Sequence, residues 1–150
     1  MSLEIIINEA IKEAMKAQDE ARKRALRAVK AEILLVKTDG SSEGFTEEKG
    51  IKLLQKMVKQ REDSLAVFSQ QGREDLASKE REELEIIREF LPKQLSESEL
   101  TDVIKTIITE TGASSPKDMG KVIGAANKQL QGKADGKIIA DLVKKLLAGA

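Results

Sequence analysis

Apolar residues recur every three to four positions along almost the whole chain, and two-residue alternation is nearly absent. That periodicity leaves packed helices as the only regular structure the chain can build in quantity. Leu3, Ile6, Ile7, Ala10, Ile11 and Ala14 trace a first stripe. Asp19 reads as the N-cap of a second helix, about Glu20 to Lys37, with Ala21, Ala25, Ala28, Val29, Ile33 and Val36 on one face. Asp39-Gly40-Ser41-Ser42-Glu43-Gly44 is a loop by composition. Thr46 then caps a long helix carrying Ile51, Leu54, Val58, Leu65 and Phe68, and Gly72 breaks it. A fourth helix, about Arg73 to Phe90, turns Leu76, Leu84, Ile87 and Leu91 inward. Pro92 ends it by pushing Leu91 out of the helical region.

Beyond a short Pro-Lys-Gln-Leu connection, Ser96-Glu97-Ser98-Glu99 forms a capping-box pattern. Leu100, Val103, Ile104, Ile107 and Ile108 follow at helical spacing up to Gly112. Ser115-Pro116 reads as an N-cap with proline at the first helical position, ahead of Met119, Val122, Ile123, Ala126 and Leu130. Gly132 stops that helix, Asp135 caps the next, and Ile138, Ile139, Leu142, Val143, Leu146 and Leu147 complete the pattern. The expected fold is all-α: an N-terminal helical domain of about four helices over 1–92, and a C-terminal three-helix domain over 96–150.

Composition removes most catalytic chemistry. The chain of 150 residues has no Cys, His, Trp or Tyr. Thiol nucleophiles, disulfides, imidazole acid–base groups and the usual zinc ligands are therefore excluded. No Walker A motif, G-x-G-x-x-G or G-x-S-x-G is present. Ser114-x-x-Lys117 matches a short catalytic pattern, but the serines read more simply as helix caps. Glu82, Glu85 and Glu89 share a helix face with Arg81 and Arg88 interleaved, which reads as a solvated ladder rather than a cation site. No catalytic residue, metal or cofactor is expected. The N-terminus lacks a basic segment, and no run approaches the roughly 18 apolar residues of a membrane span. The expectation is a soluble cytoplasmic protein without a membrane partner.

The 26 basic and 26 acidic side chains cancel overall, so any anion-binding role must be local. Residues 12–37 hold eight basic and four acidic side chains. On the second helix Lys23, Arg27, Lys30 and Lys37 fall within a sector of about 80°, opposite the apolar stripe, with Lys16 just upstream. Residues 111–150 hold seven lysines and three aspartates. Lys117, Lys121 and Lys128 fall on the helix before Gly132, and Lys133 and Lys137 bracket the next helix start. Gly132-Lys133-Ala134-Asp135-Gly136-Lys137 is glycine-rich, basic and adjacent to a helix N-terminus. Its amides are placed either to receive a phosphate or to be capped by Asp135.

At these residues the sequence resembles the YqeY-like proteins. The resemblance rests on Lys59-Gln60-Arg61-Glu62-Asp63-Ser64, Gly72-Arg73-Glu74-Asp75-Leu76, Phe90-Leu91-Pro92-Lys93-Gln94-Leu95 and Gly112-Ala113-Ser114-Ser115, in that order. Asp118-Met119-Gly120-Lys121-Val122 and the Gly132–Lys137 block continue it, so it spans essentially the whole chain. That family is similar to the C-terminal tail region of GatB, a subunit of the glutamine-dependent tRNA amidotransferase, a carbon–nitrogen ligase. The resemblance implies an all-α fold and an association with tRNA through the tail, without the domain that carries catalysis and ATP binding.

The reading that follows is a non-catalytic helical protein that interacts with tRNA, alone or beside amidotransferase subunits. Lys121, Lys128, Lys133 and Lys137 would contact phosphates, Gly132 and Gly136 would allow close approach, and Lys23, Arg27 and Lys30 would form a second contact surface. The alternative is a protein–protein adaptor or assembly factor with no RNA contact.

Overall fold

The computed structural model describes residues 2–40 and 42–149. Ser41 of the expected loop, and Met1 and Ala150 at the outer ends of the two expected domains, lie outside the described residues. The described residues form seven α-helices and one 3₁₀ turn, with no strand. The chain divides into two compact units, Met1–Leu91 and Pro92–Ala150.

The first unit holds α1 (Leu3–Lys16), α2 (Glu20–Lys37), α3 (Glu47–Gln70) and α4 (Glu74–Arg88). Asp19 caps α2 by accepting the Arg22 N–H at 3.0 Å, and Thr46 caps α3 by accepting the Lys49 N–H at 3.2 Å. α2 packs against α1 and α4, and α3 packs along α4. The core gathers Ile7, Ile11, Leu26, Val29, Ile33, Leu54, Met57 and Ile87. Leu26, Leu53 and Met57 lie outside the stripes expected from spacing alone. A helix with two packed neighbours buries a wider sector than one stripe. Conversely, Ile51, Leu65, Phe68, Leu76 and Leu91 are only half-buried. Gly50 is buried in α3 because Leu3 and Phe45 crowd it: a methyl group there would meet Leu3 Cδ2 at 3.1 Å.

The second unit holds α5 (Glu97–Thr111), a 3₁₀ turn (Pro116–Asp118), α6 (Met119–Gln129) and α7 (Gly136–Ala148). The capping box forms: the Glu99 N–H donates to Ser96 Oγ at 3.2 Å, and the Ser96 N–H donates to Glu99 Oε1 at 3.3 Å. Gly112 closes α5 in the left-handed conformation. Leu100, Ile104, Ile107, Val122, Ala126, Ile139, Val143 and Leu147 make the core.

Three local expectations change. α4 runs Glu74–Arg88 rather than from about Arg73 to Phe90, its end tightened by Phe90 and Leu91 amides donating three residues back. Ser115 occupies the cap position, but its hydroxyl makes no cap bond. The Asp118 carboxylate takes the Ser114 N–H at 3.1 Å instead, and Pro116 opens a 3₁₀ turn ahead of α6. Ile138, counted in the α7 stripe, lies on its margin and is 49% exposed.

Candidate nucleic-acid interface

The expected cationic residues fall in both units. In the second unit, α6 buries Val122 and Ala126, so its opposite face carries Gly120, Lys121, Gly124, Asn127 and Lys128, all exposed. Lys117 precedes that face from the 3₁₀ turn rather than from α6 itself. This face has no carboxylate. Nothing lies within 4 Å of where a side chain would begin at Gly120 or Gly124. Gly124, in the middle of α6, costs about 1 kcal/mol relative to alanine, while Gly120 lies in its first turn. No packing among the described residues explains either one. Lys121 Nζ donates to the Thr111 carbonyl at 3.3 Å, closing the C-terminal end of α5.

The loop after α6 is fixed by its backbone. Gly132 is buried at φ +78°, a left-handed conformation that favours glycine. Its carbonyl accepts Gln94 Nε2 at 2.6 Å, and the Lys133 carbonyl accepts the Leu95 N–H at 3.0 Å. The Pro92–Leu95 segment therefore clamps the loop. Gln94, two residues after Pro92, carries no sequence signal of its carbonyl partner 38 residues away. Asp135 Oδ1 accepts the Lys137 N–H at 2.8 Å and caps α7. Of the two roles open to this turn, the structure displays the cap. Gly136 is exposed at the first position of α7. The Lys128, Lys133 and Lys137 side chains are exposed, and none is ion-paired among the described residues. An anion arriving here meets lysine ammonium groups while the loop amide at Lys137 is already occupied.

In the first unit the expected α2 set separates. Lys23 pairs with Glu20 at 2.9 Å and Lys37 with Glu4 at 3.0 Å. Arg27 and Lys30 stay exposed without an ion pair among the described residues. The neighbouring arginines bind helices together. Arg22 reaches Glu89 at 2.7 Å and stacks over Phe90 at 5.8 Å. Arg24 reaches Glu82 at 3.1 Å and Glu83 at 3.0 Å, while Arg61 holds the other Glu83 oxygen at 3.2 Å. Arg88 reaches Glu62 on α3. Glu82, Glu83 and Glu89 are thus tied to α2 and α3, while Arg81 pairs with Glu74 along α4 itself at 3.0 Å. Glu80, partly buried beside this network, has its pKa raised by burial and then by Glu83, against a lowering influence from Arg61. No group of three or more acidic side chains poised to hold a metal occurs among the described residues. Nor is any helix among them long and apolar enough to cross a membrane.

A family model described as Yqey-like protein matches residues 5–147. Among curated proteins, the chain is similar to "Altered inheritance of mitochondria protein 41, mitochondrial" of Clavispora lusitaniae. The two are 34% identical over 122 residues, which is 80% of this chain and 69% of that protein. The protein of the same name from Lachancea thermotolerans is 32% identical, over 71% of this chain and 58% of its own length. That from Candida glabrata is 35% identical, over 67% and 54% respectively. The chain thus spans little more than half the length of two of these three relatives. Their names correct the expectation of a cytoplasmic protein, since all three are named as mitochondrial and point to that organelle.

Proposed function

We propose a function from one premise: the chain belongs to the YqeY-like family. The reading is a non-catalytic module that binds structured RNA, with tRNA the intended class, through lysine contacts to the phosphate backbone. Amidotransferase subunits are the protein neighbours that this reading places beside it.

The observation that carries it is the unneutralised lysine surface of the second unit. Lys117 and Lys128 flank two open glycines on α6, Lys133 projects from a loop whose backbone is locked, and Lys137 from the capped first turn of α7. Lysine supplies a mobile point charge suited to phosphate. Exposed helix glycines let an RNA backbone approach the helix closely. Three phenylalanines are the only aromatics, and Phe45, Phe68 and Phe90 are all half-buried, so recognition rests on charge and shape rather than base stacking. Gly132 serves by holding the loop, since its buried backbone is engaged by Gln94.

The test is a fluorescence-anisotropy titration of tRNA, with duplex DNA of equal charge as control. The expected result is saturable binding that prefers tRNA and weakens steeply from about 50 to 200 mM salt. Equal binding to both nucleic acids, or none at low salt, contradicts the reading.

A further inference from the structure

The outward face of α2 carries a feature that phosphate binding does not use. Leu34 is 49% exposed and Leu35 65% exposed. Ala31, also exposed, lies three and four residues before them, and Thr38 completes the row. One exposed leucine is ordinary on a protein surface. Two in succession, with an alanine one turn earlier, form a strip two helical turns long at the spacing of helix-recognition anchors. Thr38 adds little polarity, because its hydroxyl already donates to the Leu34 carbonyl at 3.0 Å. One turn upstream, Arg27 and Lys30 are exposed and without ion pairs among the described residues, in a unit whose other arginines all reach carboxylates. Between Arg27 and Thr38 this face presents no carboxylate of its own.

We infer that the α2 face from Arg27 to Thr38 is a docking strip for an acidic amphipathic helix of a partner protein. Leucines of that helix would cover Ala31, Leu34 and Leu35, and carboxylates one turn away would meet Arg27 and Lys30. Charge complementarity selects this occupant. An RNA backbone gains nothing from two leucines. A symmetric second copy offers the cations no carboxylate on the matching face. A strip one helix wide gives a bilayer little apolar area to hold.

The test uses the full chain and a labelled synthetic helix with leucines at i, i+3, i+4 and i+7 flanked by glutamates. The expected result is saturable binding. Leu34→Glu with Leu35→Glu should abolish it, and Arg27→Ala with Lys30→Ala should weaken it about tenfold. Both double variants alter exposed side chains, so circular dichroism should stay unchanged. tRNA affinity of the leucine variant should also stay unchanged, which separates this inference from the RNA reading. Absence of peptide binding, or equal binding of a lysine-flanked version, overturns the proposal. So does peptide binding that survives the leucine changes. Two other outcomes also overturn it: leucine-dependent binding to phosphatidylcholine–phosphatidylglycerol vesicles without peptide binding, or leucine-dependent self-association in sedimentation.

Discussion

All seven arginines of the chain lie before residue 92, and six of them reach a carboxylate; every cation after that point is a lysine, and among the described residues none does. The two units carry similar helices with similar apolar cores. They differ in what their charges do. An arginine fork fixes direction and distance, so Arg22, Arg24, Arg61 and Arg88 can bridge helices in the first unit. A lysine is a flexible point charge, poor at holding helices together and well suited to a phosphate backbone. The second unit is held by caps and backbone bonds instead: Ser96 with Glu99, Asp135 on α7, and Gln94 on Gly132. Its lysines form no ion pair among the described residues, and Lys121 donates to the Thr111 carbonyl.

The contrast breaks most easily at Glu83, which receives both Arg24 and Arg61. Its side chain and that of Arg61 are each only 15% exposed. Glu83→Ala strands Arg61 and leaves Arg24 with Glu82 alone, and should cost the first unit about 2 kcal/mol, discounted from fully buried pairs because water reaches these groups. Urea denaturation checks this, and tRNA affinity should stay unchanged. A loss under about 0.5 kcal/mol, the size of an ordinary surface change, would mean the arginines are not holding helices.

Lys133→Ala with Lys137→Ala should do the reverse. Folding stability should move by less than about 0.5 kcal/mol, because both side chains are exposed and unpaired. Binding to tRNA should weaken about tenfold or more, read by anisotropy at low salt. A smaller effect of opposite signs is expected at Gly124. Gly124→Ala meets open space and should stabilise α6 by about 0.5–1 kcal/mol. If RNA approaches the helix backbone there, the same change weakens binding. Stabilisation with unchanged affinity would assign the glycine no part in the interface.

The smallest expected effect distinguishes the units by acid. Glu80 in the first unit has a folded pKa raised above the ordinary 4.5 by burial. Its native state therefore takes up a proton more readily than the unfolded chain, and this contribution to stability rises as pH falls from neutral through the raised value. Glu99 in the second unit has its pKa lowered by the Ser96 backbone N–H. Its contribution is present above the ordinary value and is lost as pH falls through the lowered one. Carboxyl-carbon NMR titration should find Glu80 above 4.5 and Glu99 below it.

Much of the fold was legible because helix ends are local chemistry. Asp19, Thr46, Ser96 and Asp135 cap the helices their sequence context assigned to them, and Gly112 closes α5. Pro116 misled, because a proline at a helix start is equally at home in a 3₁₀ turn that precedes the α-helix proper. The site was legible by half. The lysines of the second unit were visible as a charge bias, and their exposure follows from the apolar stripe of α6. What Lys23 and Lys37 do was not legible in full, since Lys37 finds Glu4 on α1, 33 residues away. Nor was the role of Gln94, whose partner lies 38 residues on. Periodicity reports which way a side chain faces; it does not report what another helix brings to meet it.

Lys128, Lys133 and Lys137 of the second unit make no ion pair among the described residues, whereas every arginine of the first unit except Arg27 reaches a carboxylate. We propose, as the central claim, that these three lysines serve phosphate. Its most direct test is the slope of log affinity against log salt for tRNA, measured on the unaltered chain and on the Lys128→Ala, Lys133→Ala, Lys137→Ala triple variant. The expected result is a linear fall whose slope shrinks by about 0.7–0.9 for each lysine that contacts a phosphate, with stability unchanged. An unaltered slope in the triple variant would contradict it.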